Sequence, residues 1–223
     1  MLTLLKNSVF RKILMAISGQ LMVLFVIVHM LGNSTIYSGW LNAYAGHLHA
    51  LPPLIWIFRV VMLTVLAVHL LFGILLTLEN RGARPRAYAV KKTIRASFAS
   101  KNMIWTGTVI AAFLVFHLLH FTIQSINPEL SAKLNSDLMG RPDVLKMLVL
   151  NFQDFSISVL YGIALVAVLL HLIHGIQSSF QSLGLSSDGT LPVIEKTGSV
   201  AAIVIFIGYI SIPIVILAGM VKG

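Results

Sequence analysis

Five apolar stretches, at about 13–33, 54–78, 103–126, 155–180 and 198–220, dominate this sequence, and only one of them carries a fixed charge, Arg59. Each is close to the roughly 20 residues with which an α-helix crosses about 30 Å of hydrocarbon. A segment in lipid must satisfy its own backbone N–H and C=O groups, which runs of this length achieve as helices. The predicted fold is therefore all-α, a single-domain integral membrane bundle of five helices over residues 1–223. Composition excludes a soluble catalytic domain beside it. Hydrophobic residues make up 57% of the chain and charged residues 10%, against roughly a quarter charged in soluble domains.

The connections are short: one ends in Leu51-Pro52-Pro53, one is basic from Glu79 to Lys101, one is polar from Asn127 to Asp154, and one runs from Ser182 to Thr197. With the N-terminus inside, Lys6, Arg11, Lys12, Arg81, Arg84, Arg86, Lys91, Lys92, Arg95, Lys101 and Lys196 fall on cytoplasmic segments. The opposite side receives Lys133, Arg141, Lys146 and Lys222, so the positive-inside rule places the N-terminus in the cytoplasm and the C-terminus outside. The net charge of +9 thus reads as topology, not as nucleic-acid binding. The first stretch follows basic residues as a signal peptide would. It is too long and lacks a small-x-small cleavage site, so it is expected to be retained. Between Pro142 and Phe155, the apolar positions Val144, Leu145, Leu148, Val149 and Phe152 predict a short helix lying on the membrane surface.

Cysteine is absent, which excludes disulfides, thiolate-ligated clusters and covalent haem attachment through C-x-x-C-H. Histidine is the informative residue. Of eight, six fall inside predicted spans: His29 in the first, His69 in the second, His117 and His120 in the third, and His171 and His174 in the fourth. An intramembrane ionisable side chain is costly and marks a pathway, a relay or a cofactor more often when several share a bundle. At about 1.5 Å rise per residue, His29 and His117 lie about 6 and 12 Å inside the outer ends of their helices, whereas His69 and His171 lie about 12–14 Å inside the inner ends. This gives two layers of facing imidazoles, which is what two low-spin b haems need for their axial positions. Within each i, i+3 pair, His117 with His120 and His171 with His174, depth alone does not choose the ligand. The second member is read as a hydrogen-bond partner or a structural histidine.

Glycines accompany the histidines. His69-Leu-Leu-Phe-Gly73 and His171-Leu-Ile-His-Gly175 repeat H-x-x-x-G, leaving backbone that a flat macrocycle can approach one turn from the ligand. Gly19 precedes His29 by ten positions and Gly107 precedes His117 by ten. Arg59, one turn into the second span from the outer side, is a candidate counter-charge for an outer-haem propionate.

At His29-Met-Leu-Gly-Asn33, Leu41-Asn-Ala-Tyr-Ala, His49-Ala-Leu-Pro52 and Leu76-Thr-Leu-Glu-Asn-Arg-Gly-Ala-Arg-Pro85, the chain resembles the single-subunit, five-helix, dihaem cytochrome b anchor of succinate dehydrogenases and fumarate reductases. The resemblance continues through Trp105-Thr-Gly107, Phe116-His-Leu-Leu-His-Phe-Thr122, His171-Leu-Ile-His-Gly175 and Ser179-Phe-Gln-Ser-Leu-Gly184. It covers the first four spans with their inner loops and, more loosely, the fifth. It implies one axial ligand from each of the first four helices, at His29, His69, His117 and His171, around two haem b groups. It further implies a flavoprotein and an iron–sulfur subunit on the cytoplasmic face, menaquinone as the membrane partner, and residence in a bacterial cytoplasmic membrane. Arg81, Arg84, Arg86 and Tyr88 become candidates for contact with those subunits or with inner-haem propionates. Leu169 stands where some dihaem relatives carry a carboxylate two positions before the ligand, so a proton path through that residue is not implied here.

A quinone needs an apolar slot with donors for its carbonyls. On the outer side Asn33, Tyr44, His47, His49, Trp56 and Gln124 are candidates, with Trp56 better read as an interfacial aromatic. Two rival readings remain at this level: the cytochrome b subunit of another quinone-linked dehydrogenase or hydrogenase, and a haem-free transporter or assembly protein whose histidines bind metal or relay protons. The hydropathy shows no inverted repeat in favour of the latter.

Overall fold

The computed structural model describes residues 7–83 and 97–222. Five helices are long and apolar enough to cross a membrane, and they define the class, a multi-pass membrane bundle. α1 spans Ser8–Ser34, α2 Leu41–His49, α3 Pro52–Gly82, α4 Phe98–Lys101 and α5 Met103–His117, the last continuing as a π turn over Leu118–Thr122. α6 spans Val144–Gln153, α7 Phe155–Ser182 and α8 Leu191–Leu217. Among the described residues there is no strand, and Ser136 and Pro142 form one isolated bridge.

The helix boundaries follow from local chemistry. Asn7 caps α1, its side-chain oxygen accepting from the Val9 and Phe10 amides, and Asp154 caps α7 in the same way at Ser156 and Ile157. Proline occupies the first turn of α3 and of α8, where its missing N–H costs nothing. Pro192 is also why α8 begins at Leu191, seven residues before the expected 198: the Ser187 and Thr190 side chains close a turn, and the next residues already wind. The fourth loop is correspondingly shorter than the sequence reading had it. α2, nine residues long, forms within the segment that the sequence presents as a loop.

α7 is the central helix, packed on α1, α5 and α8, while α3 packs on α1 and meets α5 only sparsely. Between 11 and 28% of the most apolar window of each long helix is buried, so most of the apolar surface faces outward, as lipid-facing helices require. One cluster, Leu172, Ile176, Ala202 and Ile205, joins α7 to α8 and is covered by Val23, Ile27 and Met30 of α1. Gly208 lets Met30 lie directly on α8, since any Cβ there would collide with the thioether.

The other cluster closes one end. Ile36, Leu41, Met147, Leu148, Val149, Phe152, Tyr161, Ile212 and Ile216 gather under α2, α6 and the loop between α5 and α6, forming a cap. The short helix predicted between Pro142 and Phe155 is present as α6, with its apolar face buried within the protein. Met147, Leu148, Val149, Asn151 and Phe152 are all buried, because α6 turns its apolar face onto α7 and α8 instead of onto lipid. Asn42 of α2 holds the start of α6 by donating to Asp143 at 2.9 Å and accepting from the Leu145 amide at 2.9 Å. At the opposite, N-terminal end, Arg11 pairs with Glu79 and Gln20 with Ser179.

The cap loop carries an ion pair, Asp137 with Arg141, at 2.7 Å. The Arg141 side chain, then the backbone amides of Arg141 and Met139, hold the Asp137 carboxyl below its usual range. A carboxyl lowered in the folded state stabilises the loop above its unfolded value and stops doing so as pH falls through the lowered one. Acidification below the ordinary aspartate range should therefore make amide exchange at Met139–Arg141 faster relative to the intrinsic rate at that pH. Asp137→Asn should show that faster exchange already at neutral pH, whereas unchanged exchange in the variant would remove the ion pair from the account.

Candidate functional site: two histidine pairs

Histidines from four helices meet in two pairs. His29 of α1 and His117 of α5 have ring centroids 6.0 Å apart with planes at 82°; His69 of α3 and His171 of α7 are 6.3 Å apart at 65°. The first pair lies toward the cap. Gly19 and Gly107, ten residues before His29 and His117, mark the depth of the second, because a Cβ at Gly19 would lie 3.2 Å from His69 Cε1 and one at Gly107 3.5 Å from His171 Cε1. Ten residues of helix separate the layers by about 15 Å.

The two halves repeat each other. Ser18 and Thr106, each preceding one of those glycines, place their hydroxyls 3.4 and 3.1 Å from Nδ1 of His69 and His171. Each hydroxyl also donates to carbonyls of its own helix, to Leu14 and Met15 from Ser18 and to Asn102 and Met103 from Thr106. With its proton so committed, it accepts from the imidazole Nδ1–H. His69 Nδ1 additionally reaches the Met15 carbonyl at 3.2 Å. Both imidazoles are thereby set as Nδ1–H tautomers, leaving Nε2 with its lone pair, which is the arrangement of a metal-ligating histidine. Gly73 and Gly175 face open space, with no heavy atom within 4 Å of a Cβ built on either.

The remaining histidines differ. His120 is 2% exposed and both of its ring nitrogens are occupied, Nδ1 by the Tyr161 hydroxyl at 3.0 Å and Nε2 by Asn151 Oδ1 at 2.7 Å. It has no electron pair to offer. His174 lies one turn from His171, and no hydrogen bond to it is found among the described residues. Among the described residues no three His, Cys, Asp or Glu side chains converge; the histidines gather in twos.

Each pair brings together the two imidazoles that a bis-histidine haem site would need. Two imidazoles bound end-on at about 2 Å from one metal on opposite sides have ring centroids about 6 Å apart, and rotation about the metal–nitrogen axis leaves their planes free to differ. The donor set is neutral nitrogen, the surroundings are apolar, and aromatic rings flank the cap-side pair, with Phe25 stacked on His29 at 5.3 Å and Phe113 at 5.8 Å from His117.

Of the quinone candidates, Asn33 contacts His29 of the cap-side pair, and Tyr44 lies against Gly32 of the same helix. The Asn33 amide donates to the His29 carbonyl at 2.8 Å and lies 3.4 Å from the ring nitrogens, while the phenol end of Tyr44 packs against Gly32. His47 and His49 are exposed at the end of α2, with His49 Nδ1 donating to the Ala45 carbonyl. Gln124 accepts from Ser131 within the cap. Arg59 lies over the exposed Trp56 ring, 5.1 Å from its centroid. Arg81 is exposed at the last turn of α3, and Arg84, Arg86 and Tyr88 lie outside the described residues.

Sequence reasoning did not single out Ser18, Thr106, Tyr161 or Asn151. The hydroxyl-then-glycine pair, Ser18-Gly19 and Thr106-Gly107, repeats at the same distance from His29 and His117 and was a readable signal. Tyr161 and Asn151 had none: Tyr161 is one residue among many on the spanning helix α7, and the meeting of Asn151 with His120 depends on α6 folding inward. No protein-family model matches the chain, and no curated protein or solved structure matches it either.

Proposed function

We propose that this chain is the membrane-anchor cytochrome b subunit of a succinate:quinone oxidoreductase in a bacterial cytoplasmic membrane. The observation that carries this reading is the pair of imidazole pairs, 6.0 and 6.3 Å between centroids, stacked at two depths on four apolar helices. Bound there, two haem b groups would supply one-electron transfer across the membrane between a cytoplasmic iron–sulfur subunit and menaquinone.

The residues supply ligation and orientation. His69 and His171 hold the group nearer the N-terminal end, with Ser18, Thr106 and the Met15 carbonyl fixing their Nδ1–H bonds; His29 and His117 hold the group under the cap. Gly19 and Gly107 let the imidazoles of His69 and His171 pack on the facing helices, closely at Gly19 and at ordinary contact at Gly107. The N-terminal end carries basic residues, including Arg11 and Arg81, and faces the flavoprotein and iron–sulfur partners. The capped end faces outward, where Asn33 and Tyr44 supply an amide and a phenol for a quinone carbonyl.

The test is to isolate the chain from its native membranes with its bound partners. A covalently or tightly held flavin subunit, an iron–sulfur subunit and succinate-dependent reduction of a menaquinone analogue are expected. Co-isolation with a hydrogenase or formate dehydrogenase subunit instead would assign the same haem pairs to a different donor. Isolation without haem or partners would favour a transporter.

A further inference from the structure

A chain of hydrogen bonds runs from the cap to His117, and its direction follows from the donors available. The Asn151 amide nitrogen donates to the Met147 carbonyl at 2.8 Å, so Oδ1 is the atom turned to His120, and it accepts a further bond from Asn127 at 3.2 Å. His120 Nε2, 2.7 Å from that oxygen, must then be the N–H. In a neutral imidazole the other nitrogen is bare, so His120 Nδ1 accepts from the Tyr161 hydroxyl at 3.0 Å. With its proton spent there, the Tyr161 oxygen can only accept from His117 Nδ1–H, 3.4 Å away. Every element of this chain is placed by the fold: Asn151 by the inward-turned α6, Tyr161 by the first turns of α7 and His120 by the π turn that ends α5, a feature often found at functional sites.

We propose that Asn151, His120 and Tyr161 form a one-directional positioning chain that fixes His117 as its Nδ1–H tautomer and presents the Nε2 electron pair to a metal shared with His29. Tyr161 and His120 are positioning residues, acting through His117. The inference rests on the bis-histidine haem reading and goes beyond it by making one of the two sites dependent on the cap. At the other pair the same role falls to Ser18 and Thr106, whose bonds are local to the spanning helices. A hydrogen bond from Nδ1–H makes the ligating nitrogen a stronger donor and favours the oxidised iron, so its loss raises the potential of that site.

The experiment is a redox titration followed optically and by electron paramagnetic resonance, on the assembled complex carrying the wild-type chain, Tyr161→Phe, Asn151→Leu or Tyr209→Phe. Tyr209 is the control: its ring is 6.1 Å from His29, but its hydroxyl donates to the Val26 carbonyl and to no imidazole nitrogen. In Tyr161→Phe the cap-side haem should titrate at higher potential with an altered low-spin signal, and should transfer to apomyoglobin about 10- to 100-fold faster. The other haem should not move. Asn151→Leu should shift the same component in the same direction, and Tyr209→Phe should shift neither. An unmoved cap-side haem in Tyr161→Phe, or equal shifts in Tyr161→Phe and Tyr209→Phe, would overturn the positioning chain while leaving two bis-histidine haems in place. A wild-type complex without haem would instead overturn the reading beneath it.

Discussion

Alanine at His69 or His171 is expected to abolish one of the two b haems and to leave the other, lowering haem per polypeptide by about half. On the proposed reading each site would have two protein ligands, so removing one would leave the bound group with a single imidazole. At the cap-side pair no neighbouring histidine is placed to step in. His120 has both nitrogens engaged and is locked between Tyr161 and Asn151, so alanine at His29 or His117 should cost the other haem in the same way. The two classes of variant should differ in a second respect. His69 and His171 sit nearer the N-terminal end, where the iron–sulfur partner is proposed to dock, and their loss should also weaken assembly with the soluble subunits. Haem content and subunit stoichiometry of each purified variant check both parts. Retention of both haems in any one of the four would overturn that ligand assignment.

The second large effect comes from a residue with no side chain. A Cβ at Gly19 would sit 3.2 Å from His69 Cε1, tighter than ordinary packing, whereas one at Gly107 would sit 3.5 Å from His171 Cε1, at ordinary contact. Gly19→Val should therefore displace His69 and cost the haem it shares with His171, with the cap-side haem retained. Alanine separates the two positions. Gly107→Ala should keep haem content near wild type, while Gly19→Ala should broaden or weaken the signal of the His69–His171 site. Equal tolerance of valine at both glycines would show that the helices can part without consequence for the imidazoles.

Much of this arrangement was legible in the sequence because lipid simplifies the code. Apolar length marks the five spans, and helical rise converts sequence position into depth, which is how His29 and His117 fall in one layer and His69 and His171 in another. What was not legible lies mainly outside the hydrocarbon. α6 has the amphipathic spacing of a surface helix, and nothing in its residues says that the apolar face will turn onto α7 and α8. Its burial is decided by Asn42 and Asp143, more than a hundred positions apart along the chain. With α6 goes Asn151, and with Asn151 the role of His120, so the choice between ligand and structural histidine in His117-Leu-Leu-His120 depended on a fold contact that spacing does not encode. The quinone candidates fared similarly: Tyr44 packs on Gly32 and Asn33 reaches His29, whereas Gln124 is drawn to Ser131 and His47 and His49 end up exposed.

The reduced-minus-oxidised optical spectrum of the purified chain or complex, with a pyridine haemochrome assay of haem b per polypeptide, tests the central claim most directly. Two haems per chain with low-spin bis-histidine bands are the expected result. A chain that carries none, purified folded from membranes of a haem-replete cell, would contradict it and leave the paired histidines to a metal-free role.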